Sequence, residues 1–169
     1  STDKGLNWVS IKSGTPKDLK SVSFPDFNIG YAVGQDGIIL KSADAGITWN
    51  IVPFSPSTVQ INSVCFIDVN TGWFAGKGGA LYKSVNAGAS WTNLDSMNTI
   101  PNNDLNCISF NSLQRGTAVG ESGIILNTTN GGASWVQNLP ASANNLKGVH
   151  RVSNLLSYIV GHGVIIREN

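Results

Sequence analysis

Two carboxylates, Asp36 and Glu121, are the residues whose type and spacing best suit bond-breaking chemistry. Each lies in a short Gly-containing turn at the same place of a repeated pattern, so a ring of repeats could set them opposite each other. Glycoside hydrolysis needs two carboxyl groups about 5 to 9.5 Å apart. The sequence has 10 acidic residues, several of them in turns, and no Ser-His-Asp set, phosphate loop or metal-ligand cluster. A hydrolase acting through Asp36 and Glu121 is therefore an alternative, and a non-catalytic binding module is the preferred hypothesis.

Polar residues at loop tips and near strand starts are candidates for binding. The tips differ between repeats while the flanking strands recur, and recognition commonly lies in loops that vary on a fixed frame. Sequence variation without functional constraint in these surface loops would give the same pattern. A second set could form a ring that binds an anion or an acidic partner, although lysines at strand ends commonly extend into solvent. The tip candidates are Gln35, Asp36, Lys77, Glu121 and His162, and the ring candidates are Lys20, Asn62, Asn106 and Lys147.

An eight-residue turn pattern positions the strands that carry these loops. It reads SADAGITW at residues 42–49 and recurs at 84–91, 128–135 and, in a divergent form, 1–8. Its third residue is Asp or Asn, which can accept hydrogen bonds from nearby backbone N–H groups, and its fifth is Gly, which adopts positive φ without steric cost. We interpret this octet as a structural turn. The structural positions are Asp3, Asp44, Asn86 and Asn130, with Trp8, Trp49, Trp91 and Trp135 at the octet ends.

Four repeats follow one another along the chain. Their first strands begin near residues 19, 61, 105 and 146, and a period of about 40 residues is typical of four-stranded propeller blades. The sequence predicts an all-β propeller, one domain over residues 1–169, with four blades of four antiparallel strands. The last repeat lacks its octet and fourth strand, and residues 1–18 supply both. We expect the N-terminal strand to complete the C-terminal blade and close the ring, which would leave no open sheet edge.

Positions within the strands give two further predictions. Small residues at the third and fifth positions of each first strand, such as Ser21 and Ser23, predict a narrow central channel. The aromatic residues Tyr31, Trp73 and Tyr158 share one place in the second strand and are expected in the core.

The segment Gly30–Gly34, the strand Gly37–Ser42 and the octet resemble the repeat of Asp-box (BNR-type) propellers, specifically the photosystem II stability/assembly factor-like family. This resemblance covers nearly the whole chain. It implies a propeller face that captures a protein segment, which is a photosystem subunit in that family. Family members commonly have seven blades. Four repeats could therefore form a whole ring, part of a longer parent or half of a dimer.

Composition narrows the partners. With 11 basic and 10 acidic residues, the chain lacks the charge expected of a nucleic-acid binder, and it has no apolar run long enough for membrane insertion. Cys65 and Cys107 lie in separate repeats without a Cys-x-x-Cys pair, so we expect buried thiols and no metal or cofactor. The expected partner is a protein segment or a carbohydrate, the expected location is extracytoplasmic, and a monomer is favoured over a dimer. A ligand-free, excised or designed scaffold is a further alternative.

Overall fold

The computed structural model describes residues 5–56, 58–94, 101–138 and 143–168. Their strands form four antiparallel sheets, each a blade whose strands follow chain order. Blade 1 contains β1 (Leu19–Ser23), β2 (Gly30–Gly34), β3 (Ile39–Ser42) and β4 (Asn50–Ile51). Blade 2 contains β5 (Ile61–Phe66), β6 (Gly72–Gly76), β7 (Leu81–Ser84) and β8 (Thr92–Asn93). Blade 3 contains β9 (Leu105–Phe110), β10 (Gly116–Gly120), β11 (Ile125–Thr128) and β12 (Val136–Asn138). Blade 4 contains β13 (Leu146–Arg151), β14 (Ser157–Gly161) and β15 (Val164–Arg167).

Single 3₁₀ turns connect the second and third strands of the first three blades, at Gln35–Gly37, Lys77–Gly79 and Glu121–Gly123. None of the helices found in the described parts of the chain has the length and apolar character needed to cross a bilayer. The all-β class predicted from the sequence is confirmed.

The second strands of the first three blades have a glycine at each end, and blade 2 shows the packing reason. A side chain at Gly72 would collide with the ring of Phe66, which lies flat over the backbone of its own blade. A side chain at Gly76 would collide with the carbonyl of Gln60, just before the first strand. The two glycines thus allow the first and second strands of a blade to approach closely at both ends.

Hydrogen bonds join the first strand of each blade to the first strand of the next. Ser21 and Ser23 accept hydrogen bonds from the backbone N–H groups of Val64 and Phe66, at 3.2 and 3.0 Å. The same contact recurs from Ile108 N to Ser63 Oγ at 3.2 Å and from Arg151 N to Ser109 Oγ at 3.1 Å. The serines assigned to a central channel therefore contact the neighbouring blade. Their short hydroxyl groups accept hydrogen bonds from backbone N–H groups of that blade's first strand.

Aromatic stacking fills the first two interfaces between blades. Tyr31 of blade 1 stacks on Phe66 of blade 2 with ring centroids 3.7 Å apart and planes 5° from parallel. Trp73 of blade 2 stacks on Phe110 of blade 3 at the same distance and 8°. Both members of each pair are buried, so the predicted core position of Tyr31 and Trp73 is confirmed.

A cation lies beside each stack. Lys41 Nζ is 5.5 Å from the ring centroid of Tyr31, and Lys83 Nζ is 5.1 Å from that of Trp73. Each ammonium also donates to a carbonyl of the next blade's octet, that of Ala87 at 2.9 Å for Lys41 and that of Gly131 at 3.1 Å for Lys83. The first two interfaces therefore share one arrangement of cation, aromatic ring and Phe.

The interface between blades 3 and 4 is polar instead. The buried Arg151 takes the place of the Phe and donates from Nη1 to Thr117 Oγ1 at 2.5 Å and to Asn127 Oδ1 at 3.4 Å. Its Nη2 lies 3.4 Å from the carboxylate of Glu168 and donates to the carbonyl of Asn154 at 3.2 Å. In this interface the guanidinium group of Arg151 thus takes the roles that the aromatic pair and the lysine have in the first two interfaces.

Within the described residues, the outer sides of blades 1 and 4 are exposed. Val22 is 60% exposed, whereas its counterparts Val64, Ile108 and Val149 are buried against a preceding blade. Tyr158 and Val160 in blade 4 are 41% and 47% exposed, so the predicted core position of Tyr158 is wrong, because no other blade among the described residues covers that face.

The predicted ring closure is not confirmed. Within the described part of the N-terminal segment, residues 5–18 contain no strand, and Trp8 is 88% exposed. The fourth sheet consists of three strands in the residues that the structure describes.

Candidate binding face

The turns between the second and third strands are held in one common way. The first residue of each turn donates its backbone N–H to the residue that precedes the first strand of the same blade. The donor–acceptor pairs are Gln35 to Asp18 at 2.9 Å, Lys77 to Gln60 at 2.9 Å, Glu121 to Asp104 at 2.9 Å and His162 to Asn145 at 3.0 Å. These turns and the residues just before the first strands therefore lie on one face, which carries the varied side chains of the turns.

Blade 2 carries a pocket on this face, and Lys77 lies at its edge. The pocket has a volume of about 190 Å³. Polar groups and backbone supply most of its walls. Its lining residues are Val59, Lys77, Gly78, Gly79, Ala80, Tyr82, Asn93 and Asn102. We call this hollow the Lys77 pocket.

The walls of the Lys77 pocket are fixed by contacts from the next blade. Asp104 accepts a hydrogen bond from the backbone N–H of Gly78 at 2.8 Å. A side chain at Gly79 would press on the carbonyl of Pro101 at 2.6 Å, and Gly79 has a φ of +75°. Tyr82 is buried beneath, where Phe54 packs edge-on against its ring at 5.3 Å, and burial raises the pKa of its phenol. The pocket is thus built before any ligand arrives.

The other predicted tip residues are placed on the same face but in separate blades. Gln35, Asp36 and His162 are exposed, and Glu121 is half-buried. The Asp36 carboxylate lies 3.9 Å from Lys17 Nζ, which also donates to the Asp36 carbonyl at 3.2 Å. Blade 2 separates Asp36 from Glu121 in the row of blades. No group of three or more His, Cys, Asp or Glu residues suited to a metal occurs among the described residues.

The ring candidates divide into two pairs. Asn62 donates from its amide to the carbonyl of Leu105 at 2.8 Å, and Asn106 donates likewise to the carbonyl of Leu146 at 2.7 Å. These two amides therefore join neighbouring blades. Lys20 and Lys147, at the same repeat position in the end blades, are exposed.

The octet has the hydrogen bonds expected of a structural turn. The Asp44 carboxylate accepts from the N–H of Thr48 at 2.8 Å, from its hydroxyl at 2.5 Å and from Ser42 Oγ at 2.8 Å. The hydrogen bonds from Thr48, followed by that from Ser42, lower the pKa of Asp44 to about 2. Ala45 and Gly46 follow with φ of +59° and +81°, which reverses the chain.

Asn86 and Asn130 repeat this geometry without a charge. Each amide oxygen accepts from the backbone N–H four residues on, at 2.9 Å, and each amide nitrogen donates to the Ser hydroxyl there. The indole of Trp49 donates to the Gly46 carbonyl at 3.0 Å, and Trp91 and Trp135 pack edge-on against Phe66 and Phe110. Asp3 lies outside the described residues.

Both thiols are free in the structure. Cys107 Sγ lies 3.7 Å from the Val149 carbonyl and accepts from Ser63 Oγ at 3.9 Å. Burial raises the pKa of Cys65, so this thiol is a poor nucleophile.

Residues 1–160 match the family model described as photosynthesis system II assembly factor YCF48. The chain belongs to this family. A search of curated proteins finds no match.

Solved structures support the propeller fold of this YCF48-family chain. A structure described as YCF48 bound to D1 peptide has a TM-score of 0.76 and 20% identity, over 97% of this chain and 57% of that one. The computationally designed Ika4 protein has a TM-score of 0.73 and 13% identity, over 96% and 97%. An ancestral GH74 enzyme has a TM-score of 0.72 and 17% identity, over 95% and 24%. The chain thus spans about half the length of the YCF48 structure.

Sequence reasoning identified Lys77 but missed the residues that complete its pocket. Tyr82, Asn93 and Asn102 lie in a third strand, a fourth strand and the loop to the next blade, so they converge only after the blade has formed. One residue could have indicated the pocket from the sequence. Asp104 lies just before β9, and its carboxylate accepts a hydrogen bond from the backbone N–H of Gly78 in the preceding blade's turn.

Proposed function

We propose that this chain is a non-catalytic assembly module that captures an extended protein segment on its loop face, with the Lys77 pocket as the central contact. The observation that carries the proposal is the construction of that pocket. Lys77, Asn93 and Asn102 line a hollow, and Asp104 of the next blade fixes the backbone of Gly78 in its wall. Such a site needs little reordering when a ligand binds.

The chemistry of the pocket suits a peptide with an acidic group. The Lys77 ammonium can pair with a side-chain or terminal carboxylate. The amide of Asn102 offers both a donor and an acceptor, which match the alternating N–H and C=O groups of an extended backbone. Val59 and the ring of Tyr82 add apolar contact for one side chain.

Membership of the YCF48 family supports a protein ligand over a carbohydrate, since one member with the same fold has been solved with a D1 peptide bound. The similarity between this chain and the ancestral GH74 enzyme concerns the fold and carries no argument for a shared activity.

A peptide-display selection on the immobilised chain, followed by fluorescence anisotropy with the selected peptide, tests the proposal. Lys77→Glu should weaken binding by roughly ten- to a hundredfold, because a hydrogen bond to a charged group contributes about 1.5–3 kcal/mol. Lys12→Glu is the matched control, since Lys12 is exposed in the N-terminal segment and the same charge is reversed. Equal weakening by both variants would point to a general charge effect and contradict the pocket.

A parallel glycan array tests the carbohydrate alternative with the same protein. Selective glycan binding that Lys77→Glu removes, with no peptide selected, would overturn the choice of a protein ligand. Hydrolysis of any array glycan that is lost in both Asp36→Asn and Glu121→Gln would instead establish the hydrolase alternative.

The extracytoplasmic location is a proposal as well. It rests on the Ser- and Asn-rich loops and the low content of charged residues, 12% of the chain. Fractionation of the source cells, followed by immunoblotting, should find the protein outside the cytoplasmic fraction, and recovery only with cytoplasmic markers would contradict it.

A further inference from the structure

Apolar side chains recur on the face of the molecule formed by the octets and by the loops between first and second strands. We call it the octet face, and it lies at the other end of the strands from the turns that carry the Lys77 pocket. In blades 1 to 3 each of these loops has one large apolar residue, three places after the Phe of its first-strand pattern. These residues, which we call the apolar tips, are Phe27, Val69 and Leu113, and they are 83%, 38% and 46% exposed.

The apolar tips are exposed because of their place in the loop. Blades 2 and 3 each have a hydrogen-bonded blade on both sides, and Val69 and Leu113 reach solvent all the same. Single exposed apolar residues are common on protein surfaces. A large apolar residue at the same loop position of three successive blades is a recurrent feature, and grouped apolar exposure of this kind marks an interaction surface.

Each apolar tip lies in a turn whose backbone is already paired. In blade 2, Asp68 Oδ1 accepts hydrogen bonds from the backbone N–H groups of Asn70 and Thr71, both at 2.7 Å. The carbonyl of Asn70 accepts a hydrogen bond from the N–H of Ala87 in the octet, at 2.9 Å. The turn acceptors in the other two blades are Asp26, for Asn28 and Ile29, and Ser112, for Gln114 and Arg115. A partner on this face therefore meets side chains, because these backbone groups have partners within the loop and the octet.

Hydrogen bonds between blades connect the loops into one row. The Val69 carbonyl accepts from the hydroxyl of Tyr31 at 3.4 Å, so the tip of blade 2 lies against blade 1. Lys83 of blade 2 donates to the carbonyl of Gly131 at 3.1 Å, and the N–H of Gly131 donates to Gln114, beside the tip of blade 3, at 2.8 Å. The three apolar tips thus follow the order of the blades across a connected surface.

Carboxylates flank the apolar tips of blades 1 and 2. Asp26 is exposed and Asp68 is half-buried, and each uses Oδ1 for its turn. Asp44 lies in the octet that bonds to the loop of blade 1, and the hydrogen bonds from Thr48 keep its pKa near 2, so it is ionised at neutral pH. Basic side chains of the same blades donate instead to carbonyls of a neighbouring blade, namely Lys41, Lys83 and Arg115. The octet face of blades 1 and 2 therefore combines apolar tips with negative charge.

From these observations we infer that the octet face binds an amphipathic helix of a partner protein, with apolar side chains on the apolar tips and Lys or Arg beside Asp26 and Asp68. A helix pairs its own backbone internally and presents side chains at i, i+3, i+4 and i+7. That suits a face that offers side chains and has its loop backbone already paired. The carboxylates favour a basic protein segment over an anionic membrane surface. This site is additional to the peptide capture proposed at Lys77, and one chain with both sites joins two partners on opposite faces.

A peptide-display selection on the Lys77→Glu chain tests the inference, because this variant removes the cation of the Lys77 pocket. Selected peptides should have apolar residues at three- and four-residue spacing together with Lys or Arg. In fluorescence anisotropy they should bind wild type and Lys77→Glu equally. The double variant Val69→Ser with Leu113→Ser should weaken binding by at least roughly tenfold, because two apolar contacts are lost. Asp68→Asn, which retains an oxygen for the turn, should weaken it roughly two- to fivefold.

Matched controls separate these effects from general changes of the surface. Ile51→Ser removes an exposed apolar side chain from β4, and Asp18→Asn removes an exposed carboxylate from the opposite face. Both variants should bind the selected peptide as wild type does. Replacing every Lys and Arg of that peptide by Glu should abolish binding, which tests the charge without changing the protein.

Several results would overturn the inference. These are equal binding of the basic and acidic peptides, equal binding by wild type and the double variant, and failure to select any peptide on Lys77→Glu. Cosedimentation with phosphatidylglycerol vesicles that the double variant loses would overturn it in favour of a lipid surface. A wild-type mass of two copies in light scattering, reduced to one copy in the double variant, would overturn it in favour of self-association. Lys77→Glu and the double variant alter opposite faces, so failure of either proposal is distinguished from failure of the other.

Discussion

Asp44 is the charged member of a set of turn residues whose other described members, Asn86 and Asn130, are neutral. Its carboxylate accepts bonds from both groups of Thr48, and these bonds lower its pKa to about 2. In the unfolded chain the pKa is near 3.8. The group therefore stabilises the fold fully above about pH 4, and this stabilisation is lost as the pH falls from there through about 2.

Asp44→Asn should remove that acid sensitivity while retaining the turn, because Asn86 and Asn130 hold the same bonds with amides. Asp44→Ala should lower the melting temperature at neutral pH, because the N–H and hydroxyl of Thr48 lose their acceptor. Thermal unfolding of wild type and both variants between pH 2 and 7 measures the effect. An Asn variant as acid-sensitive as wild type at this site would contradict the assignment.

Tyr31 is the corresponding case at alkaline pH. Its burial, aided by the nearby Asp26 charge, raises its pKa to about 12, and its hydroxyl donates to the Val69 carbonyl at 3.4 Å. The unfolded chain ionises first, near pH 10, so stability falls as pH rises between about 10 and 12.

Tyr31→Phe should retain the stack on Phe66 and unfold less steeply with pH in that range. Urea midpoints at pH 8, 10 and 11 check this. Tyr82→Phe is a control for the second phenol whose pKa burial raises. If the urea midpoint of Tyr31→Phe falls with pH as steeply as that of wild type, while that of Tyr82→Phe falls less steeply, the alkaline loss of stability comes from Tyr82.

At the scale of elements, Phe24 and Phe110 offer a matched comparison. Each occupies the sixth place of its repeat's first-strand pattern and lies edge-on to a Trp of its own blade, but only Phe110 is stacked by a preceding blade. Phe110→Ala should cost about 3–5 kcal/mol of unfolding free energy, as for other buried aromatic truncations. Phe24→Ala should cost less than half of that, because Phe24 is partly exposed and has no stacking ring from a preceding blade among the described residues. Denaturant unfolding measures both, and equal losses would show that the packing inside the blade dominates.

The sequence predicted the elements well because each strand is specified locally. The second strands of the first three blades run between the glycines at their two ends, and β3 lies within the segment Gly37–Ser42 of the repeat pattern. The fourth strand of blade 1 is short. Asn50 and Ile51 pair with β3, and Val52 donates one further backbone hydrogen bond to the Ile39 carbonyl at 2.8 Å.

Relations between blades were predicted less well. The Ser positions assigned to a channel are acceptors for the next blade, and Asn62 and Asn106 are ties between blades. Closure depends on the angle added at every interface, which no local pattern encodes. The Lys77 pocket likewise depends on residues that meet only across two blades.

At the scale of the whole molecule, the blades form a row in which each contacts its neighbours, so stability should vary along the row. Within the described residues, blades 2 and 3 are covered on both sides. Blade 4 is covered there on one side, through an interface in which the Nε atom of Arg151 is buried without a hydrogen-bond partner. The last blade should therefore open before the middle of the row does.

Native-state hydrogen exchange on the 169-residue chain tests this gradient. Amides of β14 and β15 should exchange at least about tenfold faster than those of β6 and β7, because a local opening that separates blade 4 breaks one interface and not two. Arg151→Ala should speed exchange in β13, β14 and β15 further, since it removes the bonds to Thr117, Asn127 and Glu168, while β6 and β7 stay protected. Arg151→Met, which retains the apolar stem, separates lost packing from lost polar contacts. Uniform protection in all four blades would mean that the row unfolds as one unit and that its polar interface is as strong as its stacked ones.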